Sequence, residues 1–174
     1  MIDNLKKELL KRFRFEYEFK HHDKDGKLMW EMKIHNIVMN QGLQNLIDTC
    51  LLGVAAETDF FFEVASGSST FAAADVPASH SGWTENVDYD EAVRQTWTGV
   101  RTGQNVTNSA SPAVITVTTG STFGGGALVS SSIKSNNAAG VMFSGVNATE
   151  GDQVLGAGGT LSMVYSITAA DDGV

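Results

Sequence analysis

The sequence predicts a mainly β chain, an antiparallel β-sandwich of jelly-roll-like kind, and three observations carry that expectation. Two segments near the front alternate with period two. Phe13, Phe15, Tyr17 and Phe19 lie on one face against Arg14, Glu16 and Glu18, and Leu28, Trp30, Met32 and Ile34 lie against Glu31 and Lys33. Eighteen glycines, with many Ser and Thr and only two prolines, supply turn chemistry at about every ten residues through the second half. Apolar spacing of helical period recurs convincingly at one place in the body. A chain of 174 residues with 42% apolar content is long enough for one domain with a sizeable core.

In chain order, Asp3 or Asn4 can cap a short helix running to Lys11, with Ile2, Leu5, Leu9 and Leu10 loosely on one side. At about two turns it is marginal by itself. Residues 1–14 are therefore read as an arm or short helix that orders against a partner, and residues 15–170 as a single sandwich domain. The two alternating segments flank HHDKDG, whose Asp-Gly end marks a β-hairpin. Asn40 is the expected N-cap of the body helix. Leu43, Leu46, Ile47, Cys50 and Leu51 form its apolar face, and Gly53 is its stop. Cys50, in that apolar run, is expected to be a buried structural thiol, and one cysteine permits no internal disulfide.

Strands are expected over 59–64, 83–87, 92–97, 106–108, 113–118, 123–133, 141–146 and 161–168, and a frayed acidic tail over 171–174. Residues 64–97 stand apart: a long ordered connection holding two of the three tryptophans, anchored by Trp83 and Tyr89. Trp30 and Trp97 complete the expected set of structural anchors.

The net charge of −8 argues against a nucleic-acid partner, because phosphate contacts need clustered Lys and Arg. The charge is uneven. Residues 1–50 hold nine of the twelve basic residues against eight acids, and the other 124 residues hold three against twelve. A mildly basic front on an acidic body suits docking; a solvated helix face is the plainer reading. The front end has no apolar h-region or small-residue cleavage site, and no run of about eighteen apolar residues exists, so neither a leader nor a membrane partner is expected.

Motifs that could carry chemistry fail on their own terms. With Gly26 set as the EF-hand glycine, Asp23 and Asp25 fall at ligand positions, but His21 takes the first and Met32 the last. His80 between Ser79 and Ser81 lacks a nucleophile elbow and an orienting third group. Asp88, Asp90 and Glu91 near Glu85 could form paired carboxylates only if the fold sets them face to face. Beside those acids, Trp83, Tyr89 and Trp97 could instead form a sugar-stacking platform. The glycine runs 124–126 and 156–159 lack the helix and the Lys-Ser/Thr of a phosphate loop. No catalytic, cofactor or metal residue is assigned, and the chain is expected not to be an enzyme.

Several stretches resemble a family of small tailed-bacteriophage virion structural proteins. They are Asn36, Val38, Asn40, Gly42, Leu43, Leu46 and Asp48, the runs 62–68 and 71–89 (with ASHSGWTE and Tyr89 the most specific part), VTNSAS at 106–111 and GALVSSS at 126–132. The resemblance covers about residues 27–170 and leaves out the front end. It implies a virion component akin to capsid decoration or cement proteins, made in the host bacterial cytoplasm and carried on the capsid surface. Its implied partners are the major capsid protein and other copies of the chain as a homo-oligomer. On that expectation, Lys6, Lys7, Lys11 and Arg12 steer docking, and Leu5, Leu9 and Leu10 pack against the shell. The alternative is a tail-fibre or head-fibre domain binding host surface glycans.

Overall fold

The computed structural model describes residues 12–135 and 140–170. The expected N-terminal helix and the frayed tail lie outside that range. The chain is mainly β and antiparallel. Its first strand, β1 (Phe13–His22), pairs with β2 (Leu28–His35) through a turn that Asp23 organises. The Asp23 carboxylate accepts the Asp25 and Lys27 amides, and Gly26 takes φ of 80°. β3 (Ile37–Val38) leads into α1 (Asn40–Ile47), which widens into a π-helical turn at Asp48–Leu52 and stops at left-handed Gly53. β4 (Phe61–Ala65), β5 (Gln95–Thr96), β6 (Val100–Thr102), β7 (Asn105–Thr107) and β8 (Ala113–Thr116) follow. β9 (Ser121–Phe123), β10 (Gly125–Val129), β11 (Met142–Asn147), β12 (Gln153–Leu155) and β13 (Thr160–Ala169) complete the order.

One sheet runs β2-β1-β13-β7-β6, and β8 also pairs with β13; the other runs β3-β11-β10-β4-β5. Between them lies the main core, with Tyr17, Phe19, Met163 and Tyr165 from the first sheet against Phe62, Val64, Leu128 and Phe143 from the second. Alternation in β1 puts every second residue into this core, as the period-two pattern requires. The other face of β1 and β2 is a mixed-charge surface on which Arg14 and Lys33 both reach Glu16. Burial opposes ionisation of Glu16, but those two hydrogen-bonded cations outweigh it and lower its pKa.

Four expectations need correction. The body starts at Phe13, not residue 15, because Phe13 and Arg14 already pair with Ala169 and Thr168. Asn40 is the first helical residue, and the N-cap is Met39 without a side-chain cap bond. The helix fully buries only Gly42 and Asn45; of the expected apolar face, Leu46 packs half-buried against the main core, and Cys50 is exposed. The reason is contact distance: a Cβ on Gly42 would stand 2.0 Å from the Phe143 carbonyl oxygen, so only glycine lets the helix backbone meet β11. Finally, the expected strand over 123–133 is broken. β9 pairs with β12 in a small separate ladder, while β10 is central in the second sheet.

Candidate functional site

The second sheet is buried on both faces, and that fact organises the rest of the molecule. Residues 66–94 leave β4, fold over the outer face of the sheet, and return beside β4, with Ala65 bridged to Glu85 and Phe62 paired with Gln95. Under this strap lies a second apolar cluster: Met39, Ala65, Phe71, Trp83, Ala127, Val129 and Met142. The register slips between Leu128 and Val129, so that Ser144 and Met142 are paired and Phe143 is the extra residue. The bulge lets Phe143 and Ser144 both serve the inner core while Met142 serves the outer one.

Trp83 pins the strap. Its ring is stacked between Phe71 (centroids 4.8 Å) and His80 (3.6 Å, planes 8° apart), and its indole N–H donates to Asp75. That same carboxylate accepts the Ala72 amide, and His80 Nδ1 lies 3.2 Å from the Trp83 carbonyl. Both ring faces are occupied, so Trp83 offers none to a sugar. Tyr89 is 4% exposed, bridges to Val117, and has Lys134 Nζ 3.8 Å from its ring centroid. Trp30 and Trp97 are half-buried against the core. The Trp30 indole donates to the Val154 carbonyl and the Trp97 indole to the Tyr165 carbonyl.

The strongest polar feature was not legible in the sequence. Arg94, its side chain 1% exposed, lies between the strap and β4. Nε and Nη2 both donate to Glu85 at 2.8 Å, Nη2 also meets Glu63 at 2.8 Å, and Nη1 donates to the Ser131 carbonyl. Glu85 further accepts the Ser135 amide. Two buried carboxylates thus share one guanidinium. Burial, with the neighbouring charge of Glu85, pushes Glu63 up to about 8 despite Arg94, and its Oε1 has no hydrogen-bond partner. Burial opposes the charge on Arg94, but the Glu85 hydrogen bond and the field of Glu63 prevail and raise its pKa. Because the triad is sealed, it works as a clamp holding the strap to the sheet rather than as chemistry on a substrate.

Two further acids of the strap are likewise spent on the fold, while Asp88 is exposed. Glu91 accepts the Thr116 amide with both oxygens, and Asp90 accepts the Thr118 hydroxyl, so these carboxylates do not face each other across a cleft. His21 is buried. Its Nδ1 lies 3.1 Å from the Thr160 carbonyl and its Nε2 accepts the Gly156 amide, which requires the neutral ring protonated at Nδ1. Desolvation lowers its pKa. Asn108 fills a break in the first sheet. β13 pairs with β8 up to Met163 and with β7 from Ser166, and between them the Asn108 amide donates to the Met163 carbonyl and accepts the Tyr165 amide.

Among the described residues, no group of three or more His, Cys, Asp or Glu is placed to hold a metal ion, and no helix is long and apolar enough to cross a membrane. Of the docking residues expected from sequence, Leu5, Lys6, Lys7, Leu9, Leu10 and Lys11 lie outside the described residues. Arg12 is described, and its carbonyl accepts the Ala170 amide. No protein family, curated protein or solved structure matches this chain.

Proposed function

We propose that this chain is a non-enzymatic structural protein of a tailed-bacteriophage virion, a decoration or cement protein that binds the assembled head and stabilises it against internal pressure. The observation that carries the reading is where the family-like residues fall. Trp83, Glu85, Tyr89 and Asn108 pin loops to sheets, and Asp75 and His80 hold Trp83 in place within the strap. Such a signature describes a rigid body repeated many times, which is what a lattice-binding protein needs. Many copies on one shell bind through multivalency, so each contact can be modest.

The front segment is the docking element of this reading: Lys6, Lys7, Lys11 and Arg12 steer it, and Leu5, Leu9 and Leu10 pack against the major capsid protein. Its basic residues contrast with the acidic body. The test is occupancy of purified heads by the full chain and by a chain lacking residues 1–14. Occupancy should fall at least tenfold on truncation; undiminished binding would remove the segment from the mechanism. A full chain that binds no head, and a glycan array that it does bind, would replace the proposal with the fibre-domain alternative.

A further inference from the structure

Each of the two large sheets ends in outer strands, and β2 is by far the longest of these. β3, β5 and β6 have two or three residues each, whereas β2 has eight. Two hydrogen bonds at the start of β1 fix which way the β2 backbone points. The Asn36 amide donates to the Phe15 carbonyl, and the Ala170 amide donates to the Arg12 carbonyl. From Phe15 to His21, then, the odd-numbered residues of β1 bond to β2 and the even-numbered ones to β13. In β2 the backbone groups of Trp30, Met32 and Ile34 turn inward to β1, and those of Glu31, Lys33 and His35 turn outward. Among the described residues, no hydrogen bond reaches those outward groups. The side chains of Glu31 and Lys33 stand on the solvent face, 60% and 61% exposed.

We propose that a second copy of this chain adds to that edge, β2 against β2 in antiparallel sense about a two-fold axis at Met32, so that the first sheets of two molecules become one. Charge fixes the alignment. A two-fold pairing through the outward backbone groups has its axis on one residue of β2. With the axis at Met32, Glu31 of each copy stands opposite Lys33 of the other on the solvent face, and Met32 stands opposite Met32 on the core face. Moving the axis by one residue sets Glu31 against Glu31, or Lys33 against Lys33, and the like charges oppose that pairing. Edge charges ordinarily keep strands apart. Here their alternation admits one alignment and rejects its neighbours.

The ends of the strand agree with the same axis. Exposed apolar residues flank the paired stretch on both sides, Leu28 and Met29 before it and Ile37 after it. An axis at Met32 brings positions 28 and 29 of one copy beside 36 and 35 of the other, so Ile37 of each copy arrives at the Leu28 end of its partner. Exposed Val154 lies at that end too, in a shallow hollow shared with Met29 and Trp30. The β1–β2 register slips between His21 and His22, and regular pairing of β2 ends there. The shared ladder is therefore short, residues 30–34 with about four backbone hydrogen bonds, and the dimer is a reversible one. The inference concerns the chain itself and holds whether or not it binds a head.

Sedimentation equilibrium of the full chain, with circular dichroism to confirm that each variant folds, tests the edge and its alignment together. The native chain should be substantially dimeric at about 100 micromolar. Glu31→Lys alone and Lys33→Glu alone should each weaken self-association at least tenfold, because each homodimer then opposes like charges twice. Mixed in equal amounts, those two chains should pair with each other about as well as native chains do, since every Lys again faces a Glu. The chain carrying both substitutions should regain its homodimer for the same reason. Hydrogen exchange gives the second readout: the Glu31 and Lys33 amides should slow severalfold as concentration rises through the dimer range. Three results would overturn the proposal: a native chain still monomeric at that concentration, a dimer that both single variants leave intact, or a mixture of the two that stays monomeric. The second of these would move the interface to another part of the surface.

Discussion

Replacing Glu63 with Gln should change how stability depends on pH more than it changes stability itself. In the folded chain Glu63 is 2% exposed, shares Arg94 with Glu85, and holds its proton up to about pH 8, whereas its unperturbed value is 4.5. Between those values the folded chain carries a proton that the unfolded chain has released. Its contribution is therefore fully present below about pH 4.5 and is lost as pH rises through 8. The full gap, at about 1.4 kcal/mol per pH unit, is worth roughly 5 kcal/mol, and about half of it falls between pH 6 and pH 9. Urea unfolding across that range should show the native chain losing stability by about that amount. The Glu63→Gln chain, whose amide oxygen can still accept from Arg94, should stay within about 1 kcal/mol of the native chain at pH 6 and exceed it by about 2 kcal/mol at pH 9. Parallel curves would refute the argument. So would a loss of more than about 3 kcal/mol at pH 6, the cost of breaking a buried ion pair, because Glu63 would then be ionised in the fold.

Other perturbations follow from the same contacts. His21 works in the opposite direction: with its pKa lowered, its contribution is complete above about 6.5 and is lost as pH falls below that. His21→Phe should remove this acid dependence and cost about 2–4 kcal/mol, because the Thr160 carbonyl and Gly156 amide lose their partners; urea unfolding at pH 5 and pH 7.5 reads both effects. Asn108→Ala leaves the Met163 carbonyl and Tyr165 amide unpaired in the first sheet and should cost about 2–4 kcal/mol, with faster exchange of the Tyr165 amide. Trp83→Ala should cost about 3–5 kcal/mol and loosen residues 66–83, measured by thermal unfolding and proteolysis, and should have no separate effect on glycan binding. Gly42→Ala should cost about 1–3 kcal/mol, since the added methyl meets backbone rather than a movable side chain.

The expected and observed elements agree where one residue's neighbours in sequence decide its environment. β1 and β2 were legible because a half-buried strand writes its two faces into alternate residues, and the Asp-Gly turn between them is a local conformational preference. The strap was legible as an ordered connection with Trp83 and Tyr89 as anchors, because large aromatics among small residues rarely stay in solvent. α1 was legible in place but not in orientation. Its leucine spacing described an apolar face, but the closest approach to β11 was won by Gly42, which has no side chain to mark it. The exposed leucines at its end are the consequence.

Taken alone, the sequence determined the fold class, the front hairpin, the position of the helix and the presence of a pinned connection, each a product of periodicity or of turn and packing preference within about twenty residues. Only the tertiary structure decided that this connection covers a second face of one sheet and makes that sheet a middle layer. It also decided that Arg94 meets Glu63 and Glu85, and that Asn108 mends the ladder of β13. The physical reason is the same in each case. A buried charge or amide is tolerated only when its partners arrive from other elements, and the distances that bring them together, from 9 positions for Arg94 and Glu85 to 55 for Asn108 and Met163, leave no periodic trace in the chain.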